Sequence, residues 1–109
     1  MTSYKLPKEI KKKMEREIKQ YYENKKILDT LKQNPKIATR RYLYIEQRLQ
    51  YVENVYNKLK PSEKQIYDLI FKNNCNWLYC QTVHNISKIC YYSVYNKSLY
   101  YLAEEFGEI

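Results

Sequence analysis

Cys80 and His84 stand one helical turn apart, so a thiolate and an imidazole could take one metal ion from a single helix face. With Cys75 and Cys90 they make a set of four ligand types, separated by four, three and five residues. Those intervals match no common structural zinc module, and a free cysteine packs readily as a small hydrophobe. The thiols are therefore expected in the core, with no metal and no cofactor. Catalysis finds no better footing. The single His has no Ser or Asp in a nucleophile arrangement, and one Gly in the whole chain cannot build a phosphate-cradling loop. An enzyme is not expected.

The second group with chemistry to offer is Ser87–Lys97, "SKICYYSVYNK". Ser87 is placed to cap a helix that runs to about Phe106, with Gly107 as its terminator. On that helix Tyr91 and Val94 would face inward. Lys88, Ile89, Tyr92, Ser93 and Asn96 would then lie on the outward N-terminal surface, followed by Lys97. Asn can bond an adenine with two hydrogen bonds, and a phenol can reach a phosphate or lie on a thymine methyl. Ser87, Lys88, Ile89, Tyr92, Ser93, Asn96 and Lys97 are thus candidate contacts to double-stranded DNA. The bland alternative is a solvated helix face.

Charge supports a polyanionic partner but is unevenly placed. The chain carries a formal +8, which attracts nucleic acid first and acidic protein or anionic membrane next. Residues 1–60 hold 16 basic and 7 acidic side chains, residues 61–109 hold 4 and 5. In the basic half Lys11, Lys12, Lys13, Arg40 and Arg41 are candidates for backbone or partner contact, and a solvated helix face again competes with that reading.

The elements that must position these residues read as helices throughout. One Gly, three Pro and almost no two-residue alternation point to an all-α chain. Ile10, Met14, Ile18, Tyr21, Leu28 and Leu31 form one apolar stripe after Pro7, ended by "KQNPK", Lys32–Lys36. Tyr42, Ile45, Leu49, Val52, Tyr56 and Leu59 form a second. These two predict an N-terminal helical hairpin over 1–60, with dimerisation along Ile45, Leu49, Val52 and Tyr56 as a second use of the same seam. Pro61 breaks the chain, and Ser62 with Gln65 fits a capping box for a helix that buries Ile66, Leu69 and Ile70. Lys72–Asn76 reads as a loop, and Trp77–His84 as a short helix. Asn85 fits the positive-φ position of a tight turn, and Ile86 plugs the core. Residues 61–109 then follow a helix-turn-helix pattern.

"KLKPSEKQIYDLIF", "NWLYCQTVHNIS" and "KICYYSVYNKSLYYLAEEFG" together resemble region four of bacterial sigma factors. They are similar, more closely, to phage transcriptional activators of the RinA/ArpU type. "KKKMEREIKQYYENKKILDTLK" and "YIEQRLQYVENVYNKL" resemble that family's basic N-terminal and middle helices, so the likeness spans nearly the whole chain. It implies a sigma-like helix-turn-helix that reads a promoter and switches on phage or prophage late genes, with RNA polymerase as a further partner.

Two functions follow. The capped, correctly spaced motif favours a sequence-specific DNA-binding transcriptional regulator. The near-neutral second half favours a sigma-like interaction module that binds polymerase or another regulator and scarcely touches DNA. No apolar run is long enough for a membrane span, and three cysteines without a secretory leader point to a reducing, cytoplasmic setting in a bacterial host.

Overall fold

The structure, a computed structural model, describes residues 4–33 and 39–109, with Thr39 defined by its backbone alone. It is all-α, and no strand occurs among the described residues. The helices are α1 (Lys8–Lys19), α2 (Tyr21–Lys32), α3 (Thr39–Lys58), α4 (Pro61–Tyr67), α5 (Trp77–His84) and α6 (Lys88–Glu105). A π-helical turn, Asp68–Lys72, continues α4. The break expected at Pro35 lies outside the described residues.

The first apolar stripe predicts one long helix, and two are found. Gln20 adopts φ −80° and ψ −8° between them, while the hydrogen-bond ladder runs on through Gln20 N–H to Arg16 O and Asn24 N–H to Gln20 O. Between Tyr21 and Leu28 the apolar stripe lapses over "YENKK", so the halves can bury their faces against different partners. α2 lies along α3 and closes a small cluster of Leu28, Leu31, Ile45 and Leu49. α1 packs mainly along α6 and touches α3 as well.

The seam expected to support self-association is therefore covered within the chain. Ile45, Leu49 and Val52 are all buried, the first two beneath α2 and the third in the main core. A dimer along that seam would first have to displace α2.

The main core draws on both sides of the joint at residue 60. Met14 and Ile18 of α1, Val52, Val55 and Leu59 of α3, and Leu99, Leu102 and Ala103 of α6 share one cluster with Tyr67, Ile70, Phe71 and Cys80. Val55 is wholly enclosed, although the spacing places Tyr56 on that face. α4 is shifted in the same way. Its buried residues and those of the π turn are Tyr67, Ile70 and Phe71, while the expected Ile66 and Leu69 are only partly covered. In the π turn Asn73 N–H reaches back five residues to Asp68 O at 3.0 Å, so one residue more than an α turn is accommodated. The cap of α4 also differs. Pro61 is already the first helical residue, and Glu63 Oε1 accepts from Lys60 N–H at 2.9 Å. Lys60 and Glu63 thus take the capping positions that the spacing assigns to Ser62 and Gln65.

Polar links fasten α1 to its surroundings. Glu17, a buried carboxylate, meets Arg48 of α3 at 3.3 Å, and the Arg48 guanidinium also lies 4.2 Å from the Tyr44 ring centroid. The tyrosines act as helix ties as much as fillers: Tyr21 donates to Glu53 at 2.9 Å and Tyr56 to Asp68 at 3.3 Å. A phenol suits a small helical core because its ring is buried while its hydroxyl finds a polar partner.

Candidate nucleic-acid interface

α5 and the turn before α6 are fixed by three short polar residues. Asn76 Oδ1 caps α5 by accepting from Tyr79 N–H at 2.8 Å. Asn85 ends α5 in the left-handed region at φ 55°, as its spacing predicts. Ser87 Oγ then caps α6 by accepting from Cys90 N–H at 3.1 Å. Ile86 packs against the core between them. Asn tolerates this conformation better than other non-glycine residues, and a β-branched side chain tolerates it least. Asn85→Gly is thus expected to preserve or slightly raise thermal stability, whereas Asn85→Val should lower it by about 1–2 kcal/mol. Chemical denaturation of the two variants measures the difference.

α6 is set by what it buries. Tyr91, Val94, Ser98, Leu99, Leu102 and Ala103 face inward, and Tyr91 donates to Cys75 O at 3.1 Å across the loop before α5. Gly107 at φ 71° closes the helix, with Glu108 N–H bonding Ala103 O and Gly107 N–H bonding Glu104 O, a Schellman arrangement.

The expected contact residues divide into two groups. Ser87, Lys88, Ile89, Tyr92 and Ser93 are exposed together at the N-terminal end of α6, with the apolar Ile89 at 83%. Lys88 Nζ lies 4.5 Å from the Trp77 ring centroid, which steers the ammonium toward α5. Asn96 and Lys97 are half-buried. Asn96 borders a cleft of about 210 Å³ with Tyr4, Lys5, Leu6, Lys11 and Leu99. Lys97 is paired with Glu63 at 3.0 Å. Tyr4 packs edge-on against Tyr100 and Tyr101, at centroid distances of 5.3 and 5.8 Å. The chain before α1 thus lies across the C-terminal half of α6 and leaves its first turns open.

The Lys97–Glu63 pair has a pH signature. Burial pushes the Glu63 carboxyl up, but the Lys60 N–H and the Lys97 ammonium outweigh it and hold the group below its ordinary 4.5. The hydrogen bond to Glu63 correspondingly raises Lys97. A depressed carboxylate stabilises the fold fully above its unfolded value and loses that contribution as pH falls through the folded value. Thermal stability should therefore drop as pH is taken below 4.5, and Glu63→Gln should make the drop shallower. Melting curves across an acid series report both.

The basic candidates are scattered. Lys11 Nζ sits 5.3 Å from the Tyr95 ring centroid, and Lys13 pairs with Glu108. Lys12 is exposed and has no ion pair among the described residues. Arg40 and Arg41 are exposed at the start of α3. Val52, where α3 first joins the main core, lies 11 residues beyond Arg41, about 16 Å at 1.5 Å per residue. The structure does not bring these two arginines to the α6 surface.

The four residues with metal-ligand side chains also sit in different environments. Cys80 is buried, Cys75 is half-buried, and Cys90 and His84 are exposed. Cys90 thus departs from the core position expected of the thiols, because it lies on the same outward face of α6 as Ser93. No group of three His, Cys, Asp or Glu side chains able to hold a metal occurs among the described residues. Periodicity alone misses Leu78, Tyr79 and Val83, which α5 leaves between 49% and 56% exposed. Their sequence offers a signal: an eight-residue helix with five apolar side chains cannot bury all of them.

Compared with known protein families, with curated proteins and with solved structures, the chain matches none. No described helix is long and apolar enough to cross a membrane.

Proposed function

We propose that this chain is a sequence-specific DNA-binding transcriptional regulator, an activator of phage or prophage late genes of the RinA/ArpU type. In this reading α5, the Asn85–Ser87 turn and α6 form a helix-turn-helix whose second helix enters the major groove. The observation that carries it is the open N-terminal face of α6. Ser87 caps the helix, Lys88, Ile89, Tyr92 and Ser93 are exposed side by side, and the neighbouring chain covers only the later turns. In this motif the N-terminal residues of the recognition helix reach the base edges. Tyr92 and Ser93 offer hydroxyls there, Ile89 an apolar contact for a thymine methyl, and Asn96 an amide at the limit of the open face.

A second reading has its own observation. Leu78, Tyr79 and Val83 present apolar side chains on α5, as a domain that binds RNA polymerase or another regulator would.

Selection of a duplex from a random library, followed by fluorescence anisotropy, separates the two. A preferred site should emerge, and Tyr92→Ala or Ser93→Ala should reduce discrimination against random DNA by about 1–3 kcal/mol for each base edge no longer read. If no site is enriched while polymerase is bound, the interaction module is the correct reading.

A further inference from the structure

The open face of α6 is poor in charge. Lys88 is drawn to Trp77, and Lys97 is held by Glu63. Phosphate neutralisation supplies most of the salt-dependent affinity for DNA, so a helix so nearly neutral needs it from another element. α1 is the element locked beside it. Glu15 of α1 accepts from the Tyr95 hydroxyl of α6, Lys11 lies against the same ring, and Met14 and Ile18 are enclosed in the shared core.

Those contacts orient α1. With Lys11 and Glu15 turned to α6, the row Lys8, Lys12, Arg16 follows at four-residue spacing, which places three cations on one helix face. Lys8, Lys12 and Arg16 are exposed, and none has an ion pair among the described residues. Lys19, one turn past Glu15, pairs with it at 2.9 Å. The carboxylates of α1 mostly point elsewhere: Glu15 serves Tyr95 and Lys19, and Glu17 serves Arg48. Glu9 alone shares the outer face.

We propose that Lys8, Lys12 and Arg16 are a second contact on the same duplex, gripping the phosphate backbone beside the groove that α6 enters. This rests on the DNA-binding reading and adds to it which residues supply the affinity. The row spans about 12 Å along the helix. A DNA strand places one phosphate every 3.4 Å or so of axis, so three cations at that spread can each reach a different phosphate. Lys13, which pairs with Glu108, is left out of the row.

The test uses the full chain carrying Lys8→Gln, Lys12→Gln and Arg16→Gln together, compared with Lys13→Gln, on the selected duplex and on a random one. All three row residues are exposed, and an unchanged melting temperature confirms the fold. The triple variant should weaken both duplexes by the same factor and leave their ratio intact. Its slope of log affinity against log salt should be shallower by about 0.9 for each phosphate no longer neutralised, roughly 2–3 in all, while Lys13→Gln leaves the slope as in the parent. Hydroxyl-radical footprinting of the unmodified protein should show backbone protection extending to one side of the α6 half-site. A parent-like slope in the triple variant, or footprint protection confined to the groove, overturns the inference and leaves α6 as the sole DNA-binding element. A parent chain that binds no duplex overturns the DNA-binding reading itself. A triple variant that binds both duplexes like the parent but no longer binds polyglutamate overturns the inference too, and makes the row a protein-binding surface.

Discussion

Leu99→Ala is expected to lower the unfolding free energy by about 2–5 kcal/mol, the range for truncating a fully buried leucine into a cavity that neighbours only partly fill. Leu99 has no exposed surface and belongs to the core shared by α1, α3 and α6. Its loss should loosen the seat of α1 as well as the interior of α6. Urea denaturation monitored by circular dichroism measures it. A cost under about 1 kcal/mol, typical of surface positions, would mean that α1 and α6 do not meet as described.

Leu49→Asp should be more damaging still, and in a particular place. Leu49 is 6% exposed, in a cluster of four aliphatic residues with no cation among them. An uncompensated carboxylate there costs about 3 kcal/mol or more, or drives the group to protonate. The pairing of α2 with α3 should open first, because this cluster is separate from the main core. Hydrogen exchange should report reduced protection in α2 before α6. Along an unbroken intermolecular seam, the same substitution would instead dissociate a dimer. Sedimentation of the parent chain distinguishes the cases: a monomer at every concentration follows from the covered seam, and concentration-dependent association would favour the intermolecular one.

Much of the fold is legible in the sequence because its signals are local. The turn at Asn85 and the cap at Ser87 depend on side chains bonding their own backbone, and both stand where spacing puts them. Tyr91 and Val94 face inward as expected for the same reason: three-residue spacing sets the face of a helix whatever it packs against. What is not legible depends on partners. No periodicity says that α1 must part from α2 at Gln20, since a continuous stripe and two half-stripes with different neighbours look alike. The offset of α4 toward Tyr67 and Phe71 is a choice between two overlapping apolar stripes, Ile66, Leu69, Ile70 and Tyr67, Ile70, Phe71, which spacing alone does not decide. The candidate contact residues suffer most from this limit. Lys97 and Asn96 occupy outward positions by angle, yet Glu63 from α4 and the chain around Tyr4 reach them from elsewhere in the sequence.

The pairing of α1 with α6 also governs the order in which the molecule can assemble. The hydrogen bond between Glu15 and Tyr95 spans 80 residues, and that between Lys13 and Glu108 spans 95. The packing of α2 on α3 joins elements adjacent in sequence and can form early. α1 emerges from the ribosome before any of its α6 partners exist. Long-range closure delays folding because chain entropy is given up before the new packing compensates for it. During that interval Met14 and Ile18 have only their α3 neighbours to pack against, and their burial is completed when α6 arrives.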